Sequence, residues 1–211
     1  MLRRRFDRVA IERLAAIAAL FLPLMLGAAL TAGDAAPSQS LAGQLLIAAP
    51  SIGDPRFEQT VILMVKHDRD GALGIIINRP ASERPLSDLL EAIGEPDPTV
   101  TGTVRIHAGG PVEPSIGFVL HSAEYKLDAT IAIDGRLAMS ANRKAMRDIA
   151  YGRGPKKFLI AFGYAGWAPG QLEDEIANGG WHTRSADPHL VFDSPRDTLW
   201  RDAMATRTRD L

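Results

Sequence analysis

Phe158-Leu-Ile-Ala-Phe-Gly-Tyr-Ala-Gly-Trp-Ala-Pro-Gly-Gln-Leu-Glu-Asp-Glu-Ile-Ala-Asn-Gly-Gly-Trp181 is the stretch whose reading decides the fold class. Phe158 to Phe162 is a continuous apolar run and suits a buried strand. From Gly163 to Trp181 the chain holds five glycines, two tryptophans, one proline and three carboxylates. Gly163 and Gly166 read as a tight turn, because glycine takes positive φ without steric cost. Pro169-Gly170 opens a short acidic helix and Gly179-Gly180 stops it. Proline early, carboxylates in the first turn and glycine at the end follow the polarity of the helix dipole. The order is therefore strand, glycine turn, helix, strand.

Working outward, apolar runs at 41–49, 60–66 and 72–78 read as strands. The last two flank Asp68-Arg-Asp-Gly71, whose turn chemistry predicts an antiparallel hairpin closed by Arg79-Pro80. Leu86, Leu89, Leu90 and Ile93 share one face of a helix. Further strands are expected near 104–107, 117–121 and 130–133, with Gly109-Gly-Pro-Val-Glu-Pro114 as a loop. Asn142 caps a helix running to about Tyr151. After the central stretch come short strands at 181–184 and 190–192, then a last helix opened by Pro195 with Leu199 and Met204 as apolar contacts. Helices intermixed with hairpins predict an α+β domain, with a mixed, mainly antiparallel sheet and flanking helices.

The chain has 211 residues, 46% of them apolar, which suits one domain plus an extension. Arg3, Arg4, Arg5, Arg8 and Arg13 precede an uncharged run from Leu14 to Leu30, followed by small residues. That N-terminal, apolar, helix-like extension has the form of a secretory signal or anchor. The competing reading is an early start, with Met25 as the initiator. The expected division is a signal-like segment plus linker at 1–40 and a domain at 41–211. Contact with a membrane is expected only through residues 14–30, if they are retained. The net charge is −1, and removing the five arginines with Asp7, Glu12 and Asp34 leaves residues 41–211 near −3. Such a balance argues against direct duplex-DNA binding. There is no cysteine, which excludes disulfides, thiolate metal sites and cysteine nucleophiles.

Four ordered motifs across 41–200 resemble the YqgE/AlgH family of bacterial proteins. They are Ile47-Ala-Ala-Pro50 with Asp54-Pro-Arg-Phe57, Gly71-Ala-Leu-Gly74 running to Asn78-Arg-Pro80, Gly109-Gly-Pro-Val112 with Gly117-Phe-Val-Leu-His121, and Gly163-Tyr-Ala-Gly-Trp167 with Gly170-Gln-Leu-Glu173. The resemblance marks Gly109, Gly110, Pro111, Gly163, Tyr164, Gly166, Trp167, Gly170, Gln171, Leu172 and Glu173 as family motif positions. It implies a compact α+β fold, a cytoplasmic location and no settled activity. One branch is named for regulating alginate synthesis, so a regulatory role is implied as an inherited label. The first forty residues depart from the family pattern. If they are a true signal, the alternative is an exported or membrane-anchored envelope protein.

Glu173, Asp174 and Glu175 invite a metal reading, but neighbours on a helix point about 100° apart and do not converge on one ion. They are read as solvated carboxylates in a first helical turn. Trp167 and Trp181 are read as core packing around the glycine turn rather than as a stacking platform. His121-Ser122 lacks a Gly-x-Ser-x-Gly elbow, and strand neighbours face opposite sides. His67 and His107 lack metal-binding spacing. Gly109-Gly-Pro is read as a turn rather than an anion nest, and no phosphate-loop lysine follows it. No metal site and no cofactor are expected. The remaining feature is a basic group, Arg143, Lys144, Arg147, Arg153, Lys156 and Lys157, with Arg143 and Arg147 one helical turn apart. It is the candidate site for an anionic partner surface. The leading expectation is a non-enzymatic interaction or regulatory module with a protein partner. The alternatives are an enzyme with a pocket near Trp167, Glu173 and His121, or an exported envelope binding protein.

Overall fold

The computed structural model describes residues 40–206. The signal-like reading of residues 1–33 and the linker before residue 40 lie outside the described residues. Among the described residues no helix is long and apolar enough to cross a membrane.

The architecture is α+β: a strongly curled, mostly antiparallel sheet with five short α-helices. The strands are β1 (Gln44–Ala48), β2 (Val61–Asp68), β3 (Gly71–Ile76), β4 (Pro80–Pro85), β5 (Thr103–Ala108), β6 (Val112–Ser122), β7 (Ile131–Ala132), β8 (Leu137–Ser140), β9 (Phe158–Trp167) and β10 (Trp181–Ser185). The helices are α1 (Leu86–Ala92), α2 (Arg143–Ala150), α3 (Gln171–Ala177), α4 (Pro188–Phe192) and α5 (Leu199–Ala205). The main path runs β10-β1-β2-β3-β9-β6-β8-β7, and β4 pairs with β5 to one side.

β9 organises this path because its two halves have different partners. Its first half pairs in parallel with β5, Ile160 opposite Ile106, and antiparallel with β6, His121 opposite Phe158. Its second half pairs with β3, Trp167 opposite Ala72. So β5 and β3 share one edge of β9 in succession. At the changeover Ile76 N donates to Gly109 O (2.8 Å) and Gly109 N donates to Phe162 O (2.7 Å). The backbones cross there with no room for side chains. A Cβ on Gly109 would lie 2.4 Å from Gly163 O, one on Gly163 2.4 Å from Gly110 O, and one on Gly110 2.1 Å from the Tyr164 carbonyl carbon. Gly163 also has φ +77°, the left-handed region that favours glycine.

Alternation along β9 then distributes side chains to three cores. Leu159 and Ala161 join Leu45, Leu63, Ile75, Phe118 and Leu199 on one face. Ile160 faces α1 and α2 with Leu90, Val119 and Ile149. Ala165 and Trp167 lie beneath α3 with Leu46, Ile62, Leu172 and Trp181.

The structure corrects several local readings. Gly163 and Gly166 are not a turn; β9 runs through both, and Gly163 bends it where the Gly109-Gly110 backbone crosses. The expected loop at 109–114 ends early, because β6 begins at Val112. Residues 190–192 belong to helix α4, not to a strand. Asp187 accepts from His189 N at its N-cap and Pro188 occupies the first turn, so capping outweighs the apolar run. β4 gave no apolar signal, since it is an exposed edge strand bounded by Pro80 and Pro85. The 68–71 hairpin and the Asn142 cap, accepting from Lys144 N at 2.8 Å, are as expected.

Candidate functional site

The motif residues at the end of β9 and in α3 build one cleft. Gly170 at φ +78° opens α3, and Leu172, 1% exposed, fixes its buried face. Gln171 and Glu175 are one turn apart, so they share the face that looks toward the two tryptophans. Trp167, at the end of β9, and Trp181, at the start of β10, are 4% and 3% exposed. Their rings meet edge to face at 6.0 Å, and Phe57 adds a second edge contact to Trp181 at 5.6 Å.

Both indoles donate to the same atom, Glu175 Oε2, at 2.9 Å from Trp167 and 2.8 Å from Trp181. Glu175 Oε1 accepts from Gln171 Nε2 at 2.9 Å, and Gln171 Oε1 accepts from Ala168 N at 3.1 Å. One carboxylate thus joins two strand ends to a helix through hydrogen bonds strengthened by its charge. The cleft beside it measures about 450 Å³. Its walls are the 51–57 segment, Pro111 and Val112 at the start of β6, Gly166, Asn178 and Gly180. The 51–57 wall is stiffened by Asp54, which accepts from Arg56 N (2.9 Å) and Arg56 Nη2 (2.7 Å). Hydrogen bonds from the Arg56 side chain and backbone hold the Asp54 carboxyl below its usual range.

Glu173 faces away from this cleft. His67, 6% exposed, accepts from Leu41 N at Nδ1 (3.1 Å), which leaves Nε2–H to donate to Glu173 Oε1 (2.9 Å). The expectation of three solvated carboxylates is corrected on this point: Glu173 and Glu175 are both engaged, on different sides of α3. The sequence carried a partial sign of this, since Gln171 and Glu175 are spaced for one helix face between two tryptophans. It carried no sign that Phe57, over a hundred residues earlier, would join them.

The structure does not bring Trp167, Glu173 and His121 together. Trp167 and His121 sit at opposite ends of β9's pairing register, and Glu173 is bonded to His67. His121 has its own partners. Its Nδ1 donates to Ser122 O (3.0 Å), leaving Nε2 to accept from Ser140 Oγ (2.9 Å). That serine–histidine pairing has hydrolase-like polarity, yet His121 is 0% and Ser140 1% exposed, so no substrate reaches it. Burial lowers the His121 pKa. Among the described residues no three His, Asp or Glu side chains gather as a metal site.

The six basic positions at 143–157 lie on α2 and the segment after it, mostly beside acidic groups. Lys144 pairs with Asp148 (2.6 Å), Arg147 with Glu95 (3.2 Å) and Lys157 with Asp193. Arg153 stacks over the Tyr151 ring at 5.2 Å. Lys156 N donates to Glu124 Oε1 (2.7 Å), and Arg143 has interactions of its own.

Comparison with known proteins bears out the family resemblance. The family described as AlgH-like matches residues 45–211. A UPF0301 protein of Sphingopyxis alaskensis is 44% identical over 173 residues, covering 82% of this chain and 91% of that protein. A second, from Paracoccus denitrificans, is 44% identical over 170 residues, covering 79% and 90%. The solution structure of the AlgH protein from Pseudomonas aeruginosa superposes with a TM-score of 0.70 at 38% identity, covering 89% of this chain and 94% of that one. The crystal structure of protein DIP2367 from Corynebacterium diphtheriae gives 0.63 at 26% identity, covering 79% and 87%. The chain belongs to the AlgH-like, UPF0301 family.

Proposed function

We propose that this protein is a non-enzymatic interaction module, and that any regulatory effect passes through a protein partner held at the tryptophan cleft. One observation carries the reading. Residues from four separate segments meet in a cleft whose aromatic walls are locked by Glu175, while Glu175 itself is fully engaged with three donors. A carboxylate so occupied serves as a brace rather than as a base. Partly exposed Ile52 and Phe57 opposite Pro111 suit a short extended segment of another protein, with Val112, 36% exposed, at the rim. The charge balance near −3 at 41–211 supports action through protein contact rather than through DNA. The cations at 143–157 take a smaller part in this reading, because three of them are already ion-paired. The module is read as cytoplasmic. Export through residues 1–33 would recast it as an envelope binding protein.

The test is site-specific photocrosslinking in the native cells, with benzoyl-phenylalanine at Val112 or, as control, at Lys126 beyond the far end of β6. A discrete adduct from Val112, absent from Lys126 and lost when Trp181→Ala is added in a chain that still folds, is the expected result. Equal labelling from both positions, or no adduct from Val112, would remove the cleft as the partner site.

A further inference from the structure

On the other side of the 55–57 turn lies a second cleft, of about 430 Å³, and it differs from the first in being arginine-rich. Arg79, Arg196 and Arg201 line it, with Trp200 as an apolar wall and Glu58 and Asp197 as the acidic members. Arg105 is near. It shares a face of β5 with His107 two residues on, and both are close enough to Arg196 to feel its charge. In contrast to the cations at 143–157, Arg79, Arg105, Arg196 and Arg201 form no ion pair among the described residues.

Their hydrogen bonds are incomplete as well. Arg79 donates to the carbonyls of Arg56 and Glu58, which places its charge at the cleft wall without neutralising it. Arg196 Nη2 donates to Phe192 O at 2.8 Å, but Arg196 Nη1 is closed off from solvent and has no partner. His107, 4% exposed, donates from Nδ1 to Ile160 O (3.2 Å), and its Nε2 also has no partner. A buried donor left unmade on a charged group is expensive, so such groups are found bonded to a partner. Burial and the Arg196 and Arg105 charges act in the same direction on His107, pushing it down to about 4. Burial and Arg105 likewise lower the Arg196 pKa.

We propose that this second cleft binds a phosphate group, carried by a small phosphomonoester. Three guanidiniums against two carboxylates in the lining leave a net positive charge, which attracts a phosphate of about −1.5 to −2 at neutral pH. Guanidinium forks suit its oxygens geometrically, and Arg201, exposed in the cleft lining, has no other partner among the described residues. The cleft exceeds what a bare phosphate fills, and the Trp200 ring offers a surface to the ester's carbon skeleton. This site is independent of the partner cleft proposed above, which uses different residues.

The full chain is titrated with glycerol 3-phosphate, inorganic phosphate and, as control, glycerol, by calorimetry and by 1H–15N spectra. Saturable binding of glycerol 3-phosphate is expected, with shifts at Trp200 Nε1–H and the Arg196 and Arg201 side chains, and none with glycerol. Arg201→Glu, on an exposed residue without a structural partner, is expected to weaken binding at least tenfold at unchanged melting temperature. Inorganic phosphate binding at the same signals as tightly as the ester would keep the site and assign it to the free ion. Shifts scattered over surface amides, or equal affinity in Arg201→Glu, would overturn the proposal. The spectra of the wild-type chain decide it even where Arg196→Gln fails to fold.

Discussion

Replacing Glu175 tests whether one carboxylate organises the tryptophan cleft. In Glu175→Leu, both indole N–H groups lose their acceptor, and Gln171 Nε2 loses a third contact. An unsatisfied buried donor costs about 1–3 kcal/mol. The cleft admits water to one side, so the lower half of that range applies, and the two indoles together predict a loss of about 2–4 kcal/mol. For a domain of this size that lowers the melting temperature by about 5–15 °C. Glu175→Gln separates charge from acceptor. Its carbonyl oxygen still takes both indoles, but the neutral bond is weaker, and its amide faces Gln171 Nε2, whose own oxygen is held by Ala168 N. A loss of about 1–2 kcal/mol is expected there. Chemical denaturation followed by tryptophan fluorescence and by far-UV circular dichroism gives both values. The order wild type, Glu175→Gln, Glu175→Leu is the expected result. Glu175→Leu within about 0.5 kcal/mol of wild type would show that the indoles are satisfied by water, and the brace would have to be abandoned.

Two further predictions follow from the crossing and the buried imidazole. Gly163→Ala places a Cβ 2.4 Å from Gly110 O at φ +77°, so it is expected to cost about 3–5 kcal/mol, against about 1–2 for Gly135→Ala, which has φ +81° and open space. Equal losses in equilibrium unfolding would mean that the backbone crossing is not tight. His107 is held neutral, with its pKa moved from 6.5 to about 4 by burial. The folded state therefore binds its proton less readily than the unfolded state. This contribution is fully present above pH 6.5 and is lost as pH falls from 6.5 toward 4, by at most about 3 kcal/mol. An NMR titration of the imidazole that finds a midpoint near 6.5 would refute this assignment.

The strand–helix–strand order around α3, the 68–71 hairpin and the Asn142 cap were legible because each depends on local chemistry. Proline and glycine set allowed φ, apolar spacing sets which face is buried, and a side-chain oxygen caps a helix end. The family was legible for a related reason: its motifs in this chain include Gly109, Gly110 and Gly163, where the backbone crossing admits no side chain. β4 was not legible, because an exposed edge strand has no need of an apolar pattern. The role of Gly163 was misread because positive φ looks the same in a turn and in a bent strand. What separates the two is the Gly109-Gly110 backbone, more than fifty residues away in sequence.

The sites divide in the same way. By itself the amino-acid sequence determined that this is an AlgH-like α+β domain without cysteine chemistry, and it located the tryptophans and the acidic helix. Tertiary structure alone decided their use. Glu173 turns to His67 while Glu175 takes two indoles, and Arg79 meets Arg196 and Arg201 at one cleft although it lies over a hundred residues before them. Of the cations at 143–157, close together in the chain, Arg147 and Lys157 are instead drawn to carboxylates from other segments. Charge neutralisation and hydrogen-bond satisfaction act between neighbours in space, so only the pairing of strands through β9 could settle which groups become partners.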